Sequence, residues 1–176
     1  MNTQKIKAAI RNIPDFPIAG IQFKDVTTLF KSPECLAELV DGLCEMYRDK
    51  GITKVVGIES RGFIIGPLLA VRLNAGFVPI RKPGKLPAAY FEEIYEKEYG
   101  NDAIQIHQDA ISSEDVVLLH DDLLATGGTM LAAVRLVEKS HPKKIYVNFI
   151  IELEDLKGRE FFDPAIQVDS VVKYDI

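Results

Sequence analysis

The middle of the chain alternates short apolar runs with amphipathic stretches of helical length. The apolar runs predict strands over 54–58, 77–80, 104–107, 116–120 and 145–151, and the stretches between them predict helices over 63–74 and 129–140. Strands that are apolar nearly throughout are buried on both faces, which is typical of a parallel sheet covered by helices. The pattern therefore predicts an α/β fold with a central, mostly parallel sheet flanked by helices.

The two ends of this pattern and one internal segment differ from it. A short amphipathic helix is predicted over 4–12, followed by a loop rich in Pro and Gly over 14–29. A second helix is predicted to begin at Pro33 after the capping residue Ser32 and to stop at Gly51. Residues 82–103 are predicted to be irregular. No repeat or composition break divides the 176 residues, so we expect one domain.

Charge and cysteine content narrow the classes of function. The formal charge of −5, from 21 basic and 26 acidic residues, argues against a general nucleic-acid-binding surface, so an anionic ligand requires a local site. Cys35 and Cys44 are nine residues apart on one predicted helix and face opposite ways, which suits a reducing cytosol and excludes a bridge between them. Neither a signal peptide nor a membrane span is expected, and we predict a soluble cytoplasmic protein.

The strongest chemical signal follows the predicted strand 116–120. In open α/β sheets, ligands bind at the carboxyl ends of the strands. Here two acids, Asp121 and Asp122, precede small flexible residues that enter a helix. The unpaired N–H groups and positive dipole end of that helix predict a phosphate cradle. Its residues are Ala125, Thr126, Gly127, Gly128 and Thr129.

The paired acids cannot bind the same phosphate. They suit the hydroxyls of a sugar, a metal ion or a developing positive charge, so the stretch predicts a sugar-phosphate site. It is neither a Walker A loop nor the GxGxxG dinucleotide fingerprint.

Basic residues follow two other predicted strands. Ser60 and Arg61 lie at the start of the helix after strand 54–58, and Arg81, Lys82 and Lys85 follow strand 77–80. Together these side chains predict a pyrophosphate site on the same edge of the sheet. So many phosphate oxygens would favour Mg²⁺.

The motifs resemble those of the type I phosphoribosyltransferases. The stretch VVLLHDDLLATGGT resembles their signature for phosphoribosyl diphosphate (PRPP). Further matching segments follow one another in the family's order over nearly the full length, and they are most similar to the members that act on adenine. These segments are PDFPIAGIQFKDVTTLF, GIESRGFIIGPLLA, VPIRKPGKLP, EYG and IIELEDLKGRE.

The resemblance implies a reaction and an architecture. A phosphoribosyl group would pass from PRPP to adenine, giving AMP and pyrophosphate in purine salvage, with Mg²⁺ held mainly by PRPP and pyrophosphate oxygens and no dedicated set of protein ligands. The type I phosphoribosyltransferase fold would add a small hood over 1–33 that contributes to the base site and a mobile lid loop over 82–103. The family is cytoplasmic and homodimeric.

It also implies a role for each matching residue. Ala125 to Thr129 would hold the 5′-phosphate and Asp121 and Asp122 the ribose hydroxyls. Pyrophosphate would meet Ser60, Arg61, Arg81, Lys82 and Lys85. Phe23 would stack on adenine, Leu153 would cover its other face, and backbone groups of Gln22 and Lys24 would contact the base edge. Glu98 on the lid would be the acid/base group, with Tyr99 beside it.

The sequence departs from the family's pattern at His120, where an apolar residue is usual. We interpret His120 as a core histidine, although a histidine titrating near neutrality would make activity sensitive to pH. Residues 88–97 match least, and Phe91, Ile94 and Tyr95 are expected on a lid face or in a dimer contact. Two other functions stay open: transfer to a 6-oxopurine base, and a non-catalytic regulator that senses PRPP or a purine.

Overall fold

Nine strands and five α-helices make up the computed structural model, which describes residues 1–97 and 100–175. The strands are β1 (Arg11–Pro14), β2 (Gln22–Asp25), β3 (Lys54–Ile58), β4 (Gly76–Ile80), β5 (Tyr90–Lys97), β6 (Gly100–His107), β7 (Val116–Leu124), β8 (Lys144–Leu153) and β9 (Gln167–Tyr174). The helices are α1 (Thr3–Ala8), α2 (Thr27–Phe30), α3 (Pro33–Tyr47), α4 (Gly62–Arg72) and α5 (Gly128–Glu138), with 3₁₀ turns over Arg48–Lys50, Glu154–Leu156 and Gly158–Phe161.

Five parallel strands form the central sheet in the order β4-β3-β7-β8-β9, which confirms the predicted fold class. Both faces of this sheet are covered, as the apolar strands require. On one face Val55 packs with residues of α3 and α4, such as Leu39 and Leu69. On the other face Val56 packs with Leu136 of α5 and with the β5–β6 hairpin. Among the described residues, no helix is long and apolar enough to cross a membrane.

The irregular structure predicted for 82–103 is wrong over most of its length. β5 and β6 form an antiparallel hairpin, and β6 belongs to this hairpin and not to the central sheet. Tyr95, Ile104 and Ile106 are almost fully buried, because the hairpin lies on α5. Along β5, apolar and charged residues come in pairs (YF, EE, IY, EK) and not in the strict alternation that marks a strand with one solvent-facing side. The sequence therefore contains no clear strand signal here, and the Pro and Gly residues before it favoured a loop.

Three further differences concern the ends of the chain and the length of β7. The predicted loop over 14–29 contains β2, which pairs with β1, and the short helix α2. β9 was not predicted, since its sequence mixes polar and apolar residues at the edge of the sheet. β7 runs to Leu124 instead of ending at His120, so the two acids lie within the strand.

The β1–β2 ribbon stands beside the ends of β8 and β9. Lys7 Nζ donates to the backbone oxygen of Lys173 at 2.5 Å, and Tyr174 Oη donates to the backbone oxygen of Lys7 at 3.2 Å. The Lys24 ammonium lies 4.6 Å from the centre of the Tyr174 ring. These contacts hold the N-terminal segment at the carboxyl edge of the sheet, where ligands are expected.

Candidate active site

The order of the strands creates a crevice between β3 and β7. From β3 the chain passes to β4 on one side, and later returns to β7 on the other side. At such a switch point the loops after the two strands diverge and leave room for a ligand. A cavity of about 210 Å³ lies here, and it is lined by Arg61, residues 121–130 and Phe149.

The floor of this cavity is the loop that enters α5. Gly127 precedes the helix with φ +85°, a left-handed conformation that glycine adopts without strain. No side chain caps the helix, so the N–H groups of its first turn face the cavity without a side-chain partner. The structure thus places all five predicted cradle residues, Ala125 to Thr129, around one concave surface with a positive dipole end.

Asp121 and Asp122 form the acidic wall of the same cavity. The backbone N–H of Asp122 donates to Asp121 Oδ1 at 2.9 Å, and Asp122 is ion-paired with Arg61. Burial, together with the neighbouring charge of Asp122, raises the pKa of Asp121 well above its usual range. Ionising both carboxyl groups is therefore costly, and a positive charge placed beside them would reduce that cost.

Arg61 reaches this wall because α4 begins close to β7. A β-carbon on Gly62 would lie 2.8 Å from the backbone oxygen of His120, so only glycine allows the two elements to approach this closely. Burial opposes the charge of Arg61, but the carboxylates around it outweigh this effect and raise its pKa. Asp25 of β2 is among the carboxylates that contribute to this increase.

The other predicted pyrophosphate residues do not line this cavity: Ser60 follows β3, and Arg81, Lys82 and Lys85 follow β4. Arg81 Nε donates to Glu59 Oε2 at 2.9 Å, and Lys82 donates its backbone N–H to the same oxygen at 2.9 Å. The Lys82 ammonium is 2.5 Å from Asp102 Oδ2 on the hairpin. Lys85 is exposed, as is Ser60, and the Glu59–Ser60 peptide is cis. Arg81 and Lys82 are therefore paired with the acids Glu59 and Asp102.

The residues predicted for the base lie on two elements near Tyr174. Phe23 of β2 makes an edge contact with the exposed Phe16, with ring centres 5.1 Å apart. Neighbouring Gln22 and Lys24 both hydrogen-bond Asn12 through their side chains. Leu153 ends β8 and pairs in register with Tyr174, over whose ring Lys24 lies. Lys24 of β2 and Leu153 of β8 therefore both lie next to Tyr174.

Two predicted residues, Glu98 and Tyr99, lie outside the described residues. The hairpin that flanks them is described on both sides, up to Lys97 and from Gly100.

His120 is a core residue and does not line the cavity. Its side chain is fully buried, with Nδ1 2.6 Å from Asn148 Oδ1. Burial lowers the pKa of His120 to about 4, so the imidazole is neutral at pH 7. The expected pH sensitivity near neutrality therefore has no support from its surroundings.

Two residues at the site had no role in the sequence interpretation. Glu59 holds the backbone after β4 by accepting hydrogen bonds from the Arg81 side chain and the Lys82 backbone. The hydrogen bond from the Lys82 N–H is the main reason that the pKa of Glu59 is lowered. Gly158 touches the loop that enters α5. Both stood inside quoted motifs, but their contacts depend on the meeting of distant segments.

This fold and this site define a phosphoribosyltransferase domain, and the family model of the phosphoribosyl transferase domain matches residues 25–163. The chain is 67% identical over 172 residues to the adenine phosphoribosyltransferase of Bacteroides thetaiotaomicron, with 98% of each chain covered. The chain therefore belongs to the adenine phosphoribosyltransferase family.

Solved structures agree with this assignment. The crystal structure of the adenine phosphoribosyltransferase from Rhodothermus marinus matches with a TM-score of 0.91 at 49% identity, over 98% of both chains. The enzyme from Trypanosoma brucei, in complex with AMP, pyrophosphate and ribose-5-phosphate, matches with a TM-score of 0.88 at 30% identity, over 97% of this chain and 79% of that one.

Proposed function

We propose that this protein transfers the 5-phosphoribosyl group of PRPP to adenine, giving AMP and pyrophosphate in purine salvage. The observation that carries the proposal is one cavity in which a phosphate cradle at the start of α5 faces the carboxylates of Asp121 and Asp122. A sugar phosphate needs both surfaces in one cavity, the cradle for its phosphate and the carboxylates for its hydroxyls. The similarity to the adenine phosphoribosyltransferases supplies the identity of the base.

The chain's own residues account for the chemistry of the sugar. The N–H groups at the start of α5 hold the 5′-phosphate, and the two threonine hydroxyls of the loop add donors. Breaking the bond between ribose C1 and pyrophosphate leaves positive charge at C1, as in glycoside chemistry. The carboxylates of Asp121 and Asp122 stabilise that charge electrostatically and bind the ribose hydroxyls.

Pyrophosphate leaves on the side of the basic residues. Arg61 already lies in the cavity, paired with Asp122. Ser60, Arg81, Lys82 and Lys85 lie near the ends of β3 and β4, next to it. Departing pyrophosphate would exchange the present ion pairs of Arg61, Arg81 and Lys82 for charge-assisted hydrogen bonds to its own oxygens.

Mg²⁺ fits this donor set without a dedicated protein site. Among residues 1–97 and 100–175, no group of three or more His, Cys, Asp or Glu side chains is arranged to hold a metal. Oxygen ligands from PRPP are those that Mg²⁺ prefers, and the carboxylates of Asp121 and Asp122 lie at the same cavity. When bound, the ion would neutralise charge on the pyrophosphate.

The base would bind at the edge where β2 meets the end of β8. Phe23 would stack on one face of adenine and Leu153 would cover the other, with backbone groups of Gln22 and Lys24 at the base edge. Glu98, with Tyr99 beside it, lies between β5 and β6 in the sequence and would assist the loss of the adenine proton. Closure of that hairpin over the sugar would exclude water, which would otherwise hydrolyse PRPP.

A homodimer in the cytoplasm completes the proposal. Large apolar side chains are exposed on the outer face of α4, namely Ile64, Leu68 and Val71, and Val71 is 80% exposed. Leu68 and Val71 border an apolar groove together with Leu36 and Val40 of α3. A second copy of the chain would cover this face. Cys35 and Cys44 are both free, which suits a reducing compartment.

The test is AMP formation from PRPP and Mg²⁺, with adenine, hypoxanthine, guanine and xanthine supplied separately. Turnover with adenine alone is expected. Turnover with a 6-oxopurine instead would retain the PRPP site and overturn the base assignment. Binding of PRPP without turnover on any base would favour the regulator.

A further inference from the structure

Gly158 presses directly on the phosphate cradle. It begins the turn Gly158–Phe161 and is buried. A β-carbon on Gly158 would lie 2.2 Å from the backbone oxygen of Ala125 and 3.0 Å from the backbone nitrogen of Gly127. Conversely, a β-carbon on Gly127 would lie 2.9 Å from the backbone oxygen of Gly158. The two backbones therefore meet with no side chain between them.

The next residue, Arg159, fixes where this contact occurs. Its Nε donates to Glu152 Oε1 at 2.8 Å and its Nη2 to Glu152 Oε2 at 2.5 Å, a two-pronged ion pair. The same guanidinium donates to Ser170 Oγ at 3.0 Å and to the backbone oxygen of Val168. Arg159 thus ties the segment after β8 to both β8 and β9.

The clamped segment joins the two ends of the proposed site. Glu152 is buried and immediately precedes Leu153, the proposed cover of the base, whereas Gly158 supports the cradle for the 5′-phosphate. Four residues separate Leu153 from Gly158. Because the guanidinium holds both ends of this short segment to the sheet, the cradle cannot shift without disturbing the segment.

We propose that Gly158 and Arg159 are positioning residues that set the shape of the phosphate cradle. The inference rests on the proposed function, since it names the phosphate as the group whose binding they control. Neither residue lines the cavity. Gly158 acts by allowing the close approach of two backbones, and Arg159 by holding Gly158 there.

Gly158→Ala tests the first half of this proposal. The added methyl group must push the cradle away from its present position, which spoils hydrogen bonds to the phosphate. Hydrogen bonds to charged groups are strong, so AMP affinity should fall about tenfold or more. Adenosine lacks the phosphate, and its affinity should be unchanged. Titration calorimetry with both ligands gives the ratio of the dissociation constant of adenosine to that of AMP. This ratio should fall in Gly158→Ala, whereas partial unfolding would weaken both ligands equally and leave it unchanged.

Gly76→Ala is the matched control. Gly76 lies at the start of β4, where a β-carbon would meet only the flexible Lys54 side chain at 3.3 Å and the Thr53 backbone oxygen at 3.8 Å. The adenosine-to-AMP ratio of this variant should equal that of the wild type.

Arg159→Lys tests the second half of the proposal. This substitution should disturb folding less than Gly158→Ala, because it keeps a positive charge beside the buried Glu152. Lysine cannot form the two-pronged ion pair, so the ratio of the adenosine to the AMP dissociation constant should also fall, by a smaller factor than in Gly158→Ala. An unchanged ratio in both folded variants, or equal losses for AMP and adenosine, would overturn the positioning role. If wild-type protein binds neither AMP nor PRPP, the proposed function itself fails, which is a distinct result.

Discussion

At the scale of single residues, the site depends on a few side chains whose ionisation is set by burial. Asp121 and Asp122 are neighbours in sequence, but their surroundings differ: Asp122 is buried and ion-paired with Arg61. Asp121 is half-buried, accepts a backbone N–H, and is affected by the charges of both Asp122 and Arg61. The site thus keeps a costly carboxylate where positive charge is proposed to develop.

Replacing both acids should separate function from stability. In Asp121→Asn/Asp122→Asn we expect turnover to fall about 100-fold or more, because the electrostatic stabilisation at C1 is lost. The double variant should remain folded. Steady-state AMP formation and a thermal melt measure the two effects, and full turnover in a folded variant would contradict the assignment.

Asp121 also predicts a pH dependence of stability. Its pKa in the folded state is raised, so the folded protein binds more protons than the unfolded chain at pH values above the ordinary Asp range. The stability of the wild type should therefore decline as pH rises through that window. Asp121→Asn should flatten the decline and raise Tm at pH 8 relative to the wild type. Thermal melts at several pH values measure this, and a lower Tm for the variant at pH 8 would contradict it.

His120 predicts a pH dependence of stability opposite in sign to that of Asp121. Its pKa of about 4 in the folded state lies below the ordinary value of 6.5, so protonation favours unfolding between these values. Stability should rise from pH 4 to pH 6.5 and then level off for this group. In His120→Val that slope should be smaller, while the pH profile of kcat between 6 and 8 stays unchanged. His141→Asn, at an exposed histidine, is the control. A shifted kcat profile in His120→Val would assign His120 a part in activity.

At the scale of elements, the β5–β6 hairpin is the part that connects sheet and ligand edge. Its strands lie on α5, whose first turn is the phosphate cradle. Glu93 of β5 joins the two elements, with Arg135 Nε at 2.7 Å and Lys139 Nζ at 3.0 Å. A lid that moves must therefore move at its tip or release these ion pairs.

Glu93→Gln should loosen the hairpin. The two ion pairs are partly exposed, so the loss in unfolding free energy should be about 0.5–1 kcal/mol. Amide hydrogen exchange in β5 should accelerate, because an anchor to α5 is gone. Exchange measured by mass spectrometry reports this locally. Glu138→Gln, at an exposed position on the same helix, should leave exchange in β5 unchanged. Equal exchange in Glu93→Gln and wild type would show that apolar packing alone fixes the hairpin.

At the scale of the whole molecule, an acidic chain presents a local basic edge and one apolar face. The charge of −5 is compatible with an anionic substrate because cations are grouped after β3 and β4. The apolar face of α3 and α4 lies away from the cavity and presents aliphatic side chains to solvent. This face is the surface proposed to join two copies.

Val71→Glu should dissociate the proposed dimer. Val71 is 80% exposed in one copy, so a charge there does not disturb the folding of the chain. Buried in an interface, the unpaired carboxylate would be costly. Sedimentation velocity should show a monomer for Val71→Glu. Ile94→Glu, at a residue of β5 that is 61% exposed, should remain dimeric; a monomer there and not at Val71 would move the interface to the hairpin.

The sequence by itself determined four strands of the central sheet, β3, β4, β7 and β8, and the residue types at its ligand edge, whereas it missed β9. These predictions came from local features: continuous apolar runs, helix-start signals, and the order of acids, threonines and glycines from the end of β7 into α5. Local features of this kind can be recognised in a single sequence. Residues as different as Arg61, Asp122 and Thr129 were assigned to one edge because parallel strands end together.

Only the tertiary structure decided which of those residues meet. It showed that Arg61 pairs with Asp122, that Arg81 and Lys82 are held by Glu59 and Asp102, and that β5 and β6 pair and pack on α5. It also brought Gly158 against the cradle. Each of these contacts joins segments far apart in sequence, and their energies come from burial and from pairing across the fold.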